Sequence, residues 1–257
     1  MKHRLFTIAA GLSLLLPLSL ARAAVAPAIA AAVASHDRPA ADVARDAFRK
    51  PAALLAFAGV KPGDRVADLI PGQGYFTRLF SNTVGPHGHV YAIVPAEFAK
   101  PLPKAAPTAQ AIAAEPAFAN VSALVLPIAS IKTPAPLDVA WTSDNYHDIY
   151  AFFGPDQAEA FDKAVFAALK PGGVFIVIDH VSKPGAAPSP DLATIWIKRL
   201  HRIDPAVVKA QVLAAGFRLE AESALLANPA DNDDQPIFTD PLRGRTDQFT
   251  LKFRKPG

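Results

Sequence analysis

The 257-residue chain is predicted to form an α/β domain, with a mostly parallel sheet covered by helices on both faces. Three observations predict it. The short apolar run Val66-Ala67-Asp68-Leu69-Ile70 passes through the turn Pro71-Gly72-Gln73-Gly74 into a helical stretch, Tyr75–Val84, and then into a second apolar run at 89–94. That is one strand–helix–strand unit. A helix at 155–169 leads through Lys170-Pro171-Gly172-Gly173 into 174–178, the strongest strand signal in the chain. The chain then closes on two strands, 217–221 and Gln248–Arg254, joined by the long polar segment 228–247.

Taken in order, Lys2, His3 and Arg4 precede an apolar run to Leu20 and the small-residue triplet Ala21-Arg22-Ala23. A cationic start, a short apolar stretch and such a triplet are the marks of a secretory signal peptide. Gly11 and Pro17 interrupt the run, which is short for a membrane span. The expected organisation is therefore a signal at 1–23, a flexible mature N-terminus at 24–38 and a single domain at 39–257, exported to the periplasm or cell envelope. A helix is expected over 40–58, divided at Pro51. Beyond the first strand–helix–strand unit, Val121–Leu126 and 137–141 read as strands. A helix near 205–215 has Asp204 as its N-cap and Gly216 as its stop. The total is seven strands. The 25 prolines cluster between these elements, where a residue lacking an N–H does least harm.

Charge and cysteine content remove several classes of function. Loss of Lys2, Arg4 and Arg22 with the signal takes the 26 basic residues to 23, equal to the 23 acidic ones. Nothing then points to a nucleic acid or an anionic membrane surface as partner. After signal removal no integral membrane segment is expected, and the predicted partner is a small-molecule substrate. With 0 Cys, thiolate metal sites and cysteine nucleophiles are excluded.

Three stretches carry a resemblance: VADLIPGQGYFTRL at 66–79, ALKPGGVFIVIDH at 168–180, and the paired end AGFRLEAES with FTLKFRKPG. Together they resemble the class I S-adenosylmethionine-dependent methyltransferases. RDAFRKPAALLAFAGVKPGDRVADLIPGQGYFTRLFS, WTSDNYHD, LHRIDPAVVKAQVLAAGF and RGRTDQFTLKFRKP are similar, more narrowly, to an exported methyltransferase-like group. The resemblance implies a Rossmann-like, seven-stranded methyltransferase fold with a terminal antiparallel hairpin. It also implies S-adenosylmethionine as cofactor and methylation of a small-molecule acceptor. A repurposed, non-catalytic ligand-binding protein of the envelope is the alternative.

The implied cofactor-binding residues are Asp68, Ile70, Pro71, Gly72, Gln73, Gly74 and Tyr75 around the glycine turn, with Glu97 after strand two and Asn145 after strand four. Small glycines let backbone amides approach a ligand at a helix N-terminus. The sequence departs from the family pattern at three places. Ile70 stands where the first glycine usually sits, Val94-Pro95 where strand two usually ends in a ribose-binding acid, and Leu126-Pro127-Ile128 where an acid usually meets the adenine. Each missing acceptor forgoes a charge-assisted hydrogen bond of about 1.5–3 kcal/mol, roughly tenfold or more in affinity.

The candidate catalytic residues are His147, Asp148, Asp144 and His180. Ser143-Asp144-Asn145-Tyr146-His147-Asp148 follows strand four, where the family faces the methyl donor. His147 is expected as a general base oriented by Asp148 or Asp144, with Tyr146 walling the pocket. A solvated loop with capping side chains is an equal reading of the same residues. Asp179 and His180 end the neighbouring strand, so His147 and His180 are expected to approach each other. A metal-dependent enzyme using His147, His180 and their nearby acids is a third reading, but their spacing is no metal motif, and no metal ligand is assigned. His201 is read as a structural hydrogen-bonding residue; Arg243, Arg245 and Asp247 are read first as surface pairs, with closure over the site from the last loop as the alternative.

Overall fold

A computed structural model describes residues 25–184 and 200–257; the expected signal at 1–23 lies outside the described residues. The strands are β1 (Arg65–Leu69), β2 (His89–Pro95), β3 (Val121–Leu126), β4 (Leu137–Ser143), β5 (Leu169–His180), β6 (Arg218–Ser223) and β7 (Gln248–Arg254). They form one sheet in the order β3-β2-β1-β4-β5-β7-β6. The first five pair in parallel, and β7 lies antiparallel between β5 and β6. This is the Rossmann-like, seven-stranded methyltransferase fold expected from the sequence. The strand order reverses between β1 and β4, and open α/β sheets bind ligands beyond the strand C-termini at such a reversal.

The helices are α1 (Pro27–Val33), α2 (Ala40–Val43), α3 (Asp46–Arg49), α4 (Pro51–Ala58), α5 (Tyr75–Val84), α6 (Ala105–Ala113), α7 (Tyr146–Phe153), α8 (Pro155–Ala168) and α9 (Pro205–Ala214). Asp204 caps α9 as expected, its Oδ1 accepting from the Ala206 amide at 2.8 Å. Three expectations need correction. The stretch 24–38 is no flexible tail throughout, because Pro27 starts α1, whose Ile29 and Ala32 are buried, with α1 packed on α5 and α4. The helix at 40–58 is three short helices. Lys50, at φ 44°, turns the chain just before Pro51 begins α4. Tyr146, His147 and Asp148 are the first turn of α7 and are buried, so they form no solvated loop.

The core lies on both faces of β1, β4 and β5. Trp141 on β4 packs against Phe76 and Phe80 of α5, at ring-centroid distances of 4.7 and 5.3 Å. Phe175 on β5 meets Phe161 of α8, Phe217 ahead of β6 and Phe253 of β7. This second cluster joins the antiparallel hairpin to the parallel sheet. Arg202 and Asp231, both with fully buried side chains, form a two-pronged ion pair at 2.8 and 3.0 Å. The guanidinium also donates to the Gln235 and Val181 carbonyls. Part of the segment 228–247 is thereby pinned to the end of β5.

Phe175→Ala is expected to lower the free energy of unfolding by about 3–5 kcal/mol, since it deletes a fully buried ring that four elements share. Leu213→Ala, at a site 44 % exposed, is expected to change it by about 0.5 kcal/mol or less. Urea titration of the two variants checks the contrast.

Candidate active site

The turn after β1 is held from three sides. Asp68, 3 % exposed, accepts from the Thr77 hydroxyl at 2.6 Å and so ties β1 to α5; it orients the turn from beneath. Asn145 Nδ2 donates to the Ile70 carbonyl at 2.9 Å, fastening the end of β4 to the end of β1. The Gly74 amide donates to the Pro71 carbonyl at 2.9 Å. Ile70 itself has φ 58°, a left-handed backbone that costs a branched residue on the order of 1–3 kcal/mol. The missing glycine is therefore a real strain at the position where glycine would carry none.

Gly72 and Gln73 are exposed at the tip of this turn. With Ile70, Asn145, Asp148 and residues 101–105 they line a cavity of about 370 Å³. Gly72 has φ 58° and open space where a Cβ would stand. Gly74 differs: a Cβ there would lie 2.1 Å from Ile112 Cδ1 on α6, so its bareness serves helix packing. Tyr75 points away from the cavity. Its hydroxyl donates to Asp46 at 2.6 Å, and Arg45 and Arg49 lie over its ring. Glu97 sits on the 3₁₀ turn Ala96–Ala99 and accepts from the Ile128 amide at 3.0 Å. It is absent from the cavity wall, so no carboxylate from the end of β2 reaches this space. Of the residues expected to hold a cofactor, Ile70, Gly72, Gln73 and Asn145 are gathered on one cavity; Asp68, Pro71, Gly74, Tyr75 and Glu97 do not line it.

The polar cluster beyond β4 and β5 is denser than expected. Asp179, fully buried, accepts from His147 Nδ1 at 2.7 Å, from the His147 amide at 2.8 Å and from its neighbour's amide at 2.7 Å. Burial alone would lower the His147 pKa, but the carboxylates of Asp179 and Asp148 outweigh it and raise the value to about 9. Burial likewise opposes charge on Asp179, and the His147 ring beside it holds its pKa below the usual carboxylate range. The two carboxylates thus favour the protonated imidazole, which weighs against His147 as a general base near neutral pH. Its orienting acid is Asp179, in place of the expected Asp148 or Asp144.

Asp144, at φ 62°, accepts from Arg49 and from Gln248 Nε2, both at 2.8 Å. His180 shares its Nδ1 with Thr246 at 2.6 Å, and burial lowers its pKa. The His147 and His180 rings approach to 5.7 Å between centroids, as expected. Tyr146, expected to wall the pocket, is absent from the lining of the glycine-turn cavity and is buried with its hydroxyl 2.7 Å from Asp162.

Two further cavities continue the cleft. One of about 270 Å³ is lined by Asp144, His147, Asp148, His180, His201 and Arg243, among others. The next, about 420 Å³, adds Arg45, Arg49 and Arg245. Arg243 and Arg245 thus face the cleft instead of forming surface pairs. His201 is the residue that sequence reasoning missed. It lies 54 positions after His147, yet its Nδ1 is 3.2 Å from His147 Nε2.

No protein-family model and no curated protein matches the chain. Solved structures do. A SAM-dependent methyltransferase from Aquifex aeolicus is 18 % identical over 87 % of this chain and 96 % of its own, with a TM-score of 0.57. The 1,6-didemethyltoxoflavin-N1-methyltransferase of Burkholderia thailandensis, bound to its substrate and S-adenosylhomocysteine, is 20 % identical over 85 % of this chain and 79 % of its own, with a TM-score of 0.54. A possible exported protein from Bordetella parapertussis is 20 % identical over 83 % of this chain and 67 % of its own, with a TM-score of 0.50. At such identities the likeness defines the fold, which these proteins share with this chain.

Burial raises the Asp68 pKa from 3.8 to about 6, only partly offset by the Thr77 hydroxyl. Folding then favours the protonated carboxyl. Stability from that preference is present below pH about 4 and is lost as pH rises through about 6, a change of about 3 kcal/mol. Asp68→Asn removes the ionisation. Relative to the variant, the wild type is expected to lose stability between pH about 4 and 6 and to run parallel to it above, as urea midpoints at several pH values will show.

Proposed function

We propose that this protein is an S-adenosylmethionine-dependent methyltransferase acting on a small-molecule acceptor in the cell envelope. One observation carries the reading. The cavity of about 370 Å³ at the carboxyl edge of β1 and β4 has the exposed, bare Gly72 on its wall, at the turn that begins α5. Its volume falls in the range of about 300–1,000 Å³ usual for small-molecule sites. The fold shared with the structures above supports the same reading. So does the basic, apolar and small-residue pattern of residues 1–23 for export.

The residues present fit a nucleoside at the turn and depart from the family pattern around the ribose and adenine. Gly72 and Gln73 would bring backbone amides to the ligand, and Asn145 would keep that edge in place through the Ile70 carbonyl. Pro101, Leu102 and Pro103 offer an apolar wall, so contact there rests on surface burial. The cofactor, when bound, supplies an already activated methyl group. What the chain contributes is alignment of the acceptor and exclusion of water. The neighbouring cavities of about 270 and 420 Å³, reached past Asp148, are the acceptor's place in this reading, with arginines suited to an anionic group.

Calorimetry of residues 24–257 with S-adenosylmethionine is expected to give saturable heat, weaker than sites that retain both acids. Gly72→Val is expected to weaken binding at least tenfold while leaving the far-UV spectrum unchanged, because its side chain would fill the space that now faces the cavity. No heat at millimolar cofactor would overturn the proposal. A different small molecule retained through native mass spectrometry would then identify a repurposed binding protein.

A further inference from the structure

Three side chains on the wall of the cavity of about 270 Å³ have the spacing of a metal-ligand set. His147 Nε2 lies 3.2 Å from His201 Nδ1 and 3.4 Å from Asp148 Oδ1, and these last two are 3.7 Å apart. Ligand atoms about 2.0–2.1 Å from a tetrahedral zinc ion stand about 3.3 Å from one another. The circle through the three atoms has a radius of about 2.0 Å, so a single point lies at bonding distance from all of them. All three side chains are buried.

We propose that His147 Nε2, His201 Nδ1 and Asp148 bind one divalent transition-metal ion of the zinc class, with Asp179 as the positioning carboxylate. Two imidazoles and one carboxylate, with no thiolate in the chain, suit Zn²⁺ and its neighbours better than Mg²⁺ or Ca²⁺, which prefer all-oxygen shells. Asp179 supplies what such sites usually carry behind a ligating histidine. It accepts from Nδ1 at 2.7 Å and so leaves Nε2 as the atom that faces the other two ligands. It is itself fastened by two backbone amides.

His201 is held for this role by unusual means. Its backbone adopts φ 51°, the left-handed region, and the next residue is Arg202 of the buried ion pair. Phe238 packs on the imidazole at 5.0 Å. The cavity of about 270 Å³ whose wall holds the three ligands also bears Arg243, which forms no ion pair among the described residues. An anionic oxygen donor is the class of ligand that the ion and Arg243 would take together. The metal site shares the cavity given above to the acceptor, and Asp148 also lines the glycine-turn cavity, but zinc binding itself does not require the glycine turn or S-adenosylmethionine.

The test is zinc binding by residues 24–257, stripped with chelator and dialysed against buffered Zn²⁺ without S-adenosylmethionine. Elemental analysis is expected to find one ion per chain, and Co²⁺ to give the visible absorption bands of a low-coordinate site. Wild-type Tm is expected to rise with Zn²⁺ and to fall back with chelator. His201→Ala and Asp148→Ala are expected to weaken binding at least 100-fold, Asp179→Asn about 10- to 100-fold, and the exposed His87→Ala not at all. A stoichiometry of zero in the wild type, or equal binding by the wild type and His201→Ala, would overturn the site. The trio would then be a buried hydrogen-bonded cluster.

Discussion

The carboxylate of Asp179 is the constraint on which the cleft depends. It ends β5 in complete burial and accepts three hydrogen bonds, two from backbone amides and one from an imidazole. One of those amides belongs to the first turn of α7, so the same side chain joins the end of β5 to the start of the helix that follows the central strand, β4. A buried anion without partners would cost several kcal/mol. Here every donor is supplied by an element of the cleft. The charge that burial makes expensive thereby fixes where α7 begins and which way His147 points.

Most of the fold was legible because it is written in local patterns. Apolar runs bounded by glycine and proline placed all seven strands near their observed positions, and Tyr75–Val84 and Gln248–Arg254 coincide with the observed elements. The short helices were harder. Ala-rich α1 shows no apolar period, and α6 begins inside a proline-rich stretch, so packing against α5 and β3 decides both. The residues 143–148 carry turn-forming side chains and read as a loop, yet Asp179 and the aromatic core draw Tyr146 and His147 inward.

The site was legible only in part, for a related reason. Ile70, Gly72, Gln73 and Asn145 lie close to strand ends, where topology alone gathers them. Gly74 and Tyr75 share that turn but serve α6 and the N-terminal helices, a distinction that depends on which way a Cα–Cβ bond points. Glu97 was the nearest acid to the right strand, and the Ile128 amide claimed it. His201 had no spacing to announce it. Its approach to His147 comes from the short bridge between Val181 and Ile203 and from the buried Arg202 pair, neither of which leaves a mark in sequence.

Left-handed non-glycine residues stand at the ends of β1 and β4 and beside His147: Ile70, Asp144 and His201. Such conformations persist only where the surroundings overdetermine them. Close to all three, in the first turn of α7, Asp148 belongs to the walls of both the glycine-turn cavity and the histidine cavity. A single carboxylate cannot present its charge to both sides at full strength. Whatever settles in one compartment therefore alters the potential felt in the other, and the two halves of the cleft are in communication through one side chain without any movement of the sheet.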